Sequence, residues 1–163
     1  KASACINGYN KVVRMLQNKP FSEADSERGS YIRLAHKEHI PLLSILESNG
    51  LDDALWALRC VHGVDRDAWL FSVWCARQVQ HLMTDQRSID ALDVAERFAN
   101  GTATEKELTA AWDAACAAAW DAACAASRAA SRDAACAASR DAARDAQKAM
   151  FIRMCNGSAP WQK

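Results

Sequence analysis

At 163 residues the chain has room for one domain with a real core. Twenty Lys and Arg balance twenty Asp and Glu, so it lacks both the cationic excess that nucleic-acid binding draws on and the acidity of a DNA mimic. No secretory pattern occurs, and no apolar run reaches the ~18 residues that span a bilayer. The expectation is a cytoplasmic protein with no membrane or nucleic-acid partner.

Taken in chain order, apolar periodicity predicts helices near 7–18, 30–48, 51–62, 65–83, 88–99 and 104–155. Residues 19–29 read as a polar connection, and Pro41 kinks or restarts the second helix because its ring blocks the preceding turn. Asn49-Gly50, His62-Gly63, Asn100-Gly101 and Asn156-Gly157 each follow an apolar-periodic segment and read as helix stops. Start signals fall at Asp65, at Ser88, and at Thr104 with Glu107, which has capping-box spacing. Sustained alternation is absent, so the class is all-α. Within 65–83, the residues Trp69, Leu70, Phe71, Val73, Trp74, Cys75, Val79 and Leu82 spread around most of a helical circumference. That pattern predicts a compact bundle, a single helical domain over 1–163, packed around this segment as a buried central helix.

From Ala110 to Met150 the chain is written in fours. The first position of each tetrad is Ala, and the third carries Trp112, Cys116, Trp120, Cys124, Arg128, Arg132, Cys136, Arg140, Arg144 and Lys148. Alanine is the strongest helix former, so a long Ala-rich C-terminal helix over 104–155 is predicted. Unbroken, it would be about 78 Å long, whereas a compact chain of this size has a radius of gyration near 15 Å. The helix must therefore project or break, and serines bonding back to the preceding turn place the break near 127–131. A four-residue period drifts 40° per repeat, which disfavours a long coiled coil. Slim residues instead allow close approach by other helices. Trp112, Cys116, Trp120 and Cys124 are expected to lean on the core, the Arg- and Asp-bearing half to face solvent, and Met150, Phe151, Ile152 and Met154 to dock on the core or on a second copy.

The residues suggest no catalytic set and no cofactor. Cys5, Cys60, Cys75, Cys116, Cys124, Cys136 and Cys155 form no C-x-x-C and match no zinc spacing, so they read as small buried hydrophobes in a reducing compartment. His36 and His39 sit three apart with no carboxylate to complete a metal set, and no metal is expected. Arg77 and His81 lie four apart on the predicted central helix. An Arg there must be paired or face a cavity. Asp52, Asp53 and Asp67 are candidate partners for an ion pair that fixes the helix. The alternative is a ligand pocket in which Arg59, Arg77 and His81 grip an anion flanked by Trp56, Trp69 or Trp74, a combination suited to a nucleotide-like molecule.

"SNGLDDALWALRCVHG", then "WCARQVQHL", then "SIDALDVAERFANGTATEKELTAAWDAA" and the alanine tetrads resemble a group of alanine-rich bacterial and phage immunity proteins, similar to the helical immunity families of polymorphic-toxin systems. The likeness spans roughly residues 45–150. It implies a non-enzymatic binder that neutralises a protein effector or, if phage-borne, blunts a host defence; in that anti-defence role the Trp/Arg residues would sequester a small nucleotide-like signal. Homo-oligomerisation is expected in either case. The likeness itself assigns no site residue. The neutral charge departs from immunity proteins that act as acidic plugs on basic nucleases. A structural protein that self-associates through the Ala-rich helix is the alternative.

Overall fold

A computed structural model describes residues 4–34, 39–126 and 135–162, with side chains outside 120–140. Every regular element among them is helical: α1 (Ile6–Leu16), α2 (Glu23–Ser26), α3 (Leu42–Asn49), α4 (Leu51–Ala57), α5 (Asp65–Gln78), α6 (Gln86–Ala99), α7 (Glu105–Ala126) and α8 (Ala135–Cys155). Short 3-10 turns cover Leu58–Cys60, Gln80–Leu82 and Pro160–Gln162. Two compact units divide the chain, Lys1–His62 and Gly63–Lys163. The all-α class is as expected. The expected break at 127–131 lies outside the described residues.

In the first unit, α1 packs on α3, and α3 on α4. Val12, Val13, Leu46, Leu51, Ala54 and Ala57 are buried there. The helix expected over 30–48 begins only at Leu42, with Pro41 as its N-cap (φ −61°, ψ 142°). Fully buried Asn10 accounts for part of the difference. Its Oδ1 accepts from the Ile32 amide at 2.8 Å and its Nδ2 donates to the Ser30 carbonyl at 3.1 Å. These bonds give 30–32 the backbone partners that a helix would otherwise supply.

The supposed polar connection at 19–29 holds α2. Ser22 and Asp25 form its capping box, and Asp25 is buried. Arg14 binds the Asp25 carboxylate through Nε at 2.9 Å and again through Nη2. Arg14, the Ser22 amide and the Ser22 hydroxyl together hold this carboxyl well below the usual carboxylate range. The connection is therefore clamped onto α1.

In the second unit, α5 touches α6, α8 and the terminal 3-10 turn. Leu70, Phe71 and Val73 are buried, and Phe71 meets the fully buried Phe151 edge-on at 5.9 Å. Helix α5 is central but not wrapped on every side. It ends at Gln78 rather than 83, and Trp69, Val79 and Leu82 are exposed. The missing cover follows from its neighbours, since α6 and α8 pack against only part of the circumference.

Three predicted stops hold: Gly50, Gly101 and Gly157 follow α3, α6 and α8 at φ 91°, 71° and 67°. Gly63 also has a positive φ, 76°, but the helical path has already ended at Cys60, with Val61 extended (φ −107°, ψ 128°). The Thr104–Glu107 box is formed, with the Glu107 amide donating to Thr104 Oγ1 at 3.3 Å and Glu107 Oε2 accepting from the Thr104 amide at 2.8 Å. The other two starts shift. Asp85, not Ser88, caps α6, and Val64 precedes α5 without a side-chain cap.

Helix α7 reverses the expected facing. Leu108, Ala111, Ala114 and Ala115 are half-buried and Ala118 is buried, an i, i+3, i+4, i+7 stripe that packs with α6. Trp112 and Cys116 point outward, Trp112 with 68% of its surface exposed. An inward alanine stripe lets two backbones approach closely, and tryptophan on that face would hold them apart. Trp120 and Cys124 lie outside the described side chains. In α8, residues 141–146 are exposed, as expected. Its last turns then bury Met150, Phe151 and Met154 within the same unit.

Candidate functional site

The six residues proposed for a Trp/Arg pocket form several local arrangements. In the first unit, Trp56 on α4 and Arg59 in the following turn make a cation–π pair, with the guanidinium carbon 5.2 Å from the ring centroid. Both are exposed. They sit at i and i+3, so the local helical path suffices to bring them together.

In the second unit, Trp69 meets Phe98 of α6 edge-on at 5.5 Å, and half-buried Trp74 stacks with Phe71 at 6.5 Å. Both rings serve as packing surfaces. Arg77 reaches across to α6, where its Nη2 lies 2.6 Å from Asp93 Oδ1 and 2.9 Å from Glu96 Oε2. Its Nη1 donates to Gln80 at 2.9 Å. Those carboxylates push the guanidinium pKa up, and they occupy the donors that would otherwise grip a phosphate. The ion-pair reading of Arg77 thus has its partners on α6, in place of Asp52, Asp53 or Asp67. Asp53 instead accepts from Asn49 at 2.6 Å. Asp67 accepts from the Trp161 indole at 3.1 Å and the Gln162 amide at 2.8 Å, fastening the terminal turn to α5. His81 is exposed in the turn after α5.

His36 lies outside the described residues. Among the described residues no three His, Cys, Asp or Glu side chains converge as a metal-ligand set. The five cysteines whose side chains are described are not the buried hydrophobes expected: Cys5, Cys60 and Cys116 are exposed, and Cys75 and Cys155 are half-buried, while Cys124 and Cys136 lie outside the described side chains. Burial pushes both half-buried thiols up. Cys5 caps α1, its Sγ accepting from the Gly8 amide at 3.3 Å.

Two features escaped sequence reasoning. One is Trp112, uncovered on α7. The other is an open cleft of about 410 Å³ in the first unit, lined by Lys11, Met15, Asn18, Lys19, Phe21 and Ser48. Lys11 Nζ stands 5.6 Å from the Phe21 ring centroid. No sequence motif marks this cleft, because its walls come from α1, the turn after it and the end of α3. No helix among the described residues is long and apolar enough to cross a membrane. No family model matches the chain, nor does any curated protein or solved structure.

Proposed function

We propose that the chain is a non-enzymatic binding protein that neutralises a protein effector in the cytoplasm, as its resemblance to bacterial and phage immunity proteins implies. The observation that supports this reading best is Trp112, a large aromatic left 68% exposed on a helix that packs inward through one stripe of alanines. Uncovered tryptophans are prominent among the anchors of protein interfaces, where burying the ring supplies much of the binding energy. A partner helix laid on this face would meet Trp112 together with the exposed Asp113, Cys116 and Ala117. The small-ligand version of the idea, placed at the Trp/Arg residues, is weaker. Arg77 Nη2 is already paired with Asp93 and Glu96.

The test is co-expression of the full chain with the product of each toxin gene encoded beside its own. One such product should co-purify at fixed stoichiometry and lose its toxicity, and Trp112→Ala should cost the complex at least about tenfold in affinity. Toxin neutralisation unchanged by Trp112→Ala would overturn the assignment of this face. The same face also favours a second reading, self-association through α7. A light-scattering mass above that of one chain, falling to that of one chain in Trp112→Ala, is its signature.

A further inference from the structure

We propose that the first-unit cleft binds a small organic phosphate carrying a planar ring. Lys11 and Lys19 stand on its wall two helical turns apart in sequence, and among the described residues neither has a carboxylate within ion-pair distance. The nearby acid of the same element pair, Asp25, is consumed by Arg14. Two ammonium groups without anions are a receptor for a dianion, which a phosphomonoester is near neutral pH. Lys11 is drawn instead toward the Phe21 ring, the contact a cation makes when no carboxylate is on offer.

Apolar wall and polar rim then set the ligand class. Met15 and Phe21 are half-buried and line the cleft beside the amide of Asn18 and the hydroxyl of Ser48. Asn18 is held at φ 52°, where the chain leaves α1: the Lys19 amide bonds back to the Arg14 carbonyl at 2.9 Å, which fixes the position of the second lysine's backbone. A bare phosphate would use the ammonium groups and leave the apolar wall wet. A ring joined to the phosphate would cover Met15 and Phe21 while its charge met the lysines. The cleft volume falls in the ~300–1,000 Å³ range of small-molecule sites. This site lies wholly within the first unit, so it stands or falls separately from the α7 partner face.

Calorimetric titration of the full chain with 5′-AMP, phenyl phosphate, inorganic phosphate and adenosine tests the inference. At least one of the two ring phosphates should bind, and inorganic phosphate and adenosine should each bind at least about tenfold more weakly. Lys11→Gln and Lys19→Gln should each weaken binding about tenfold, the loss of one charge-assisted contact. Both lysines are exposed, so the helical circular-dichroism signal should stay unchanged. Arg59→Gln and Arg77→Gln should bind as the parent chain does. The inference is overturned by no binding of either ring phosphate at millimolar concentration, or by inorganic phosphate binding as well as they do. Full affinity in the Lys11/Lys19 double variant would also refute it, as would loss of binding in Arg59→Gln, which moves the ligand to the Trp56 pair.

Discussion

Helices α7 and α8 draw on the same alanine tetrad and yet are held in different ways. The first is held along its flank, where an alanine stripe ending at the buried Ala118 packs with α6 and leaves Trp112 outside. The second is exposed over 141–146 and is held at its end, where Met150, Phe151 and Met154 are buried and Phe71 of α5 meets Phe151. Large apolar side chains do the anchoring in α8, and the absence of side chains does it in α7. The alanine tetrads thus pack directly in α7, whereas α8 is held by apolar residues that follow its last tetrad.

The contrast can be broken or sharpened by substitution. Phe151→Ala empties a fully buried site and should lower the stability of the second unit by about 3–5 kcal/mol, read from denaturant melts. Ala118→Leu should cost about 1–3 kcal/mol by forcing α7 off its neighbour, whereas Ala142→Leu on exposed α8 should stay within about 0.5 kcal/mol. If both leucines prove equally neutral, close approach is not what holds α7. Thr104→Ala removes the cap of α7 and should cost about 1 kcal/mol.

Acid gives a smaller effect confined to one helix. The Thr104 amide and hydroxyl, with Arg97, hold the Glu107 carboxyl below its ordinary value. Its stabilisation is present above the unfolded carboxylate pKa and is lost as pH falls through that value toward the folded one. Protection factors for amide exchange at the start of α7, corrected for the intrinsic pH dependence, should therefore fall in mild acid before those at the end of α8 change. Trp112→Ala should move stability least, within about 0.5 kcal/mol, since the ring is mostly in solvent. A large loss would mean that the ring supports its own fold rather than waiting for a partner.

What could be read from the chain was local. A Gly after α3, α6 and α8, a Thr three residues before a Glu and an apolar "AMFIRMC" each specify structure within a turn or two, and the structure follows them. Ser22 and Asp25 carried the same spacing signal for α2 and were passed over amid polar neighbours. The misreadings were contacts over distance. Asn10 takes the Ile32 amide across 22 residues, and Arg77 finds Asp93 and Glu96 rather than Asp52, Asp53 or Asp67. The facing of α7 was missed for another reason: periodicity weighs bulk, and here the smallest residue is the one that packs.

Exposed thiols carry a practical consequence. Cys116 sits one turn from Trp112 on the outward side of α7, and Cys5 and Cys60 are also open to solvent. In air, any of them can join two molecules through an intermolecular disulfide that has nothing to do with recognition. A doubled mass thus speaks for pairing through α7 only when it survives dithiothreitol, and alkylation of the reduced protein is the natural first step of sample handling.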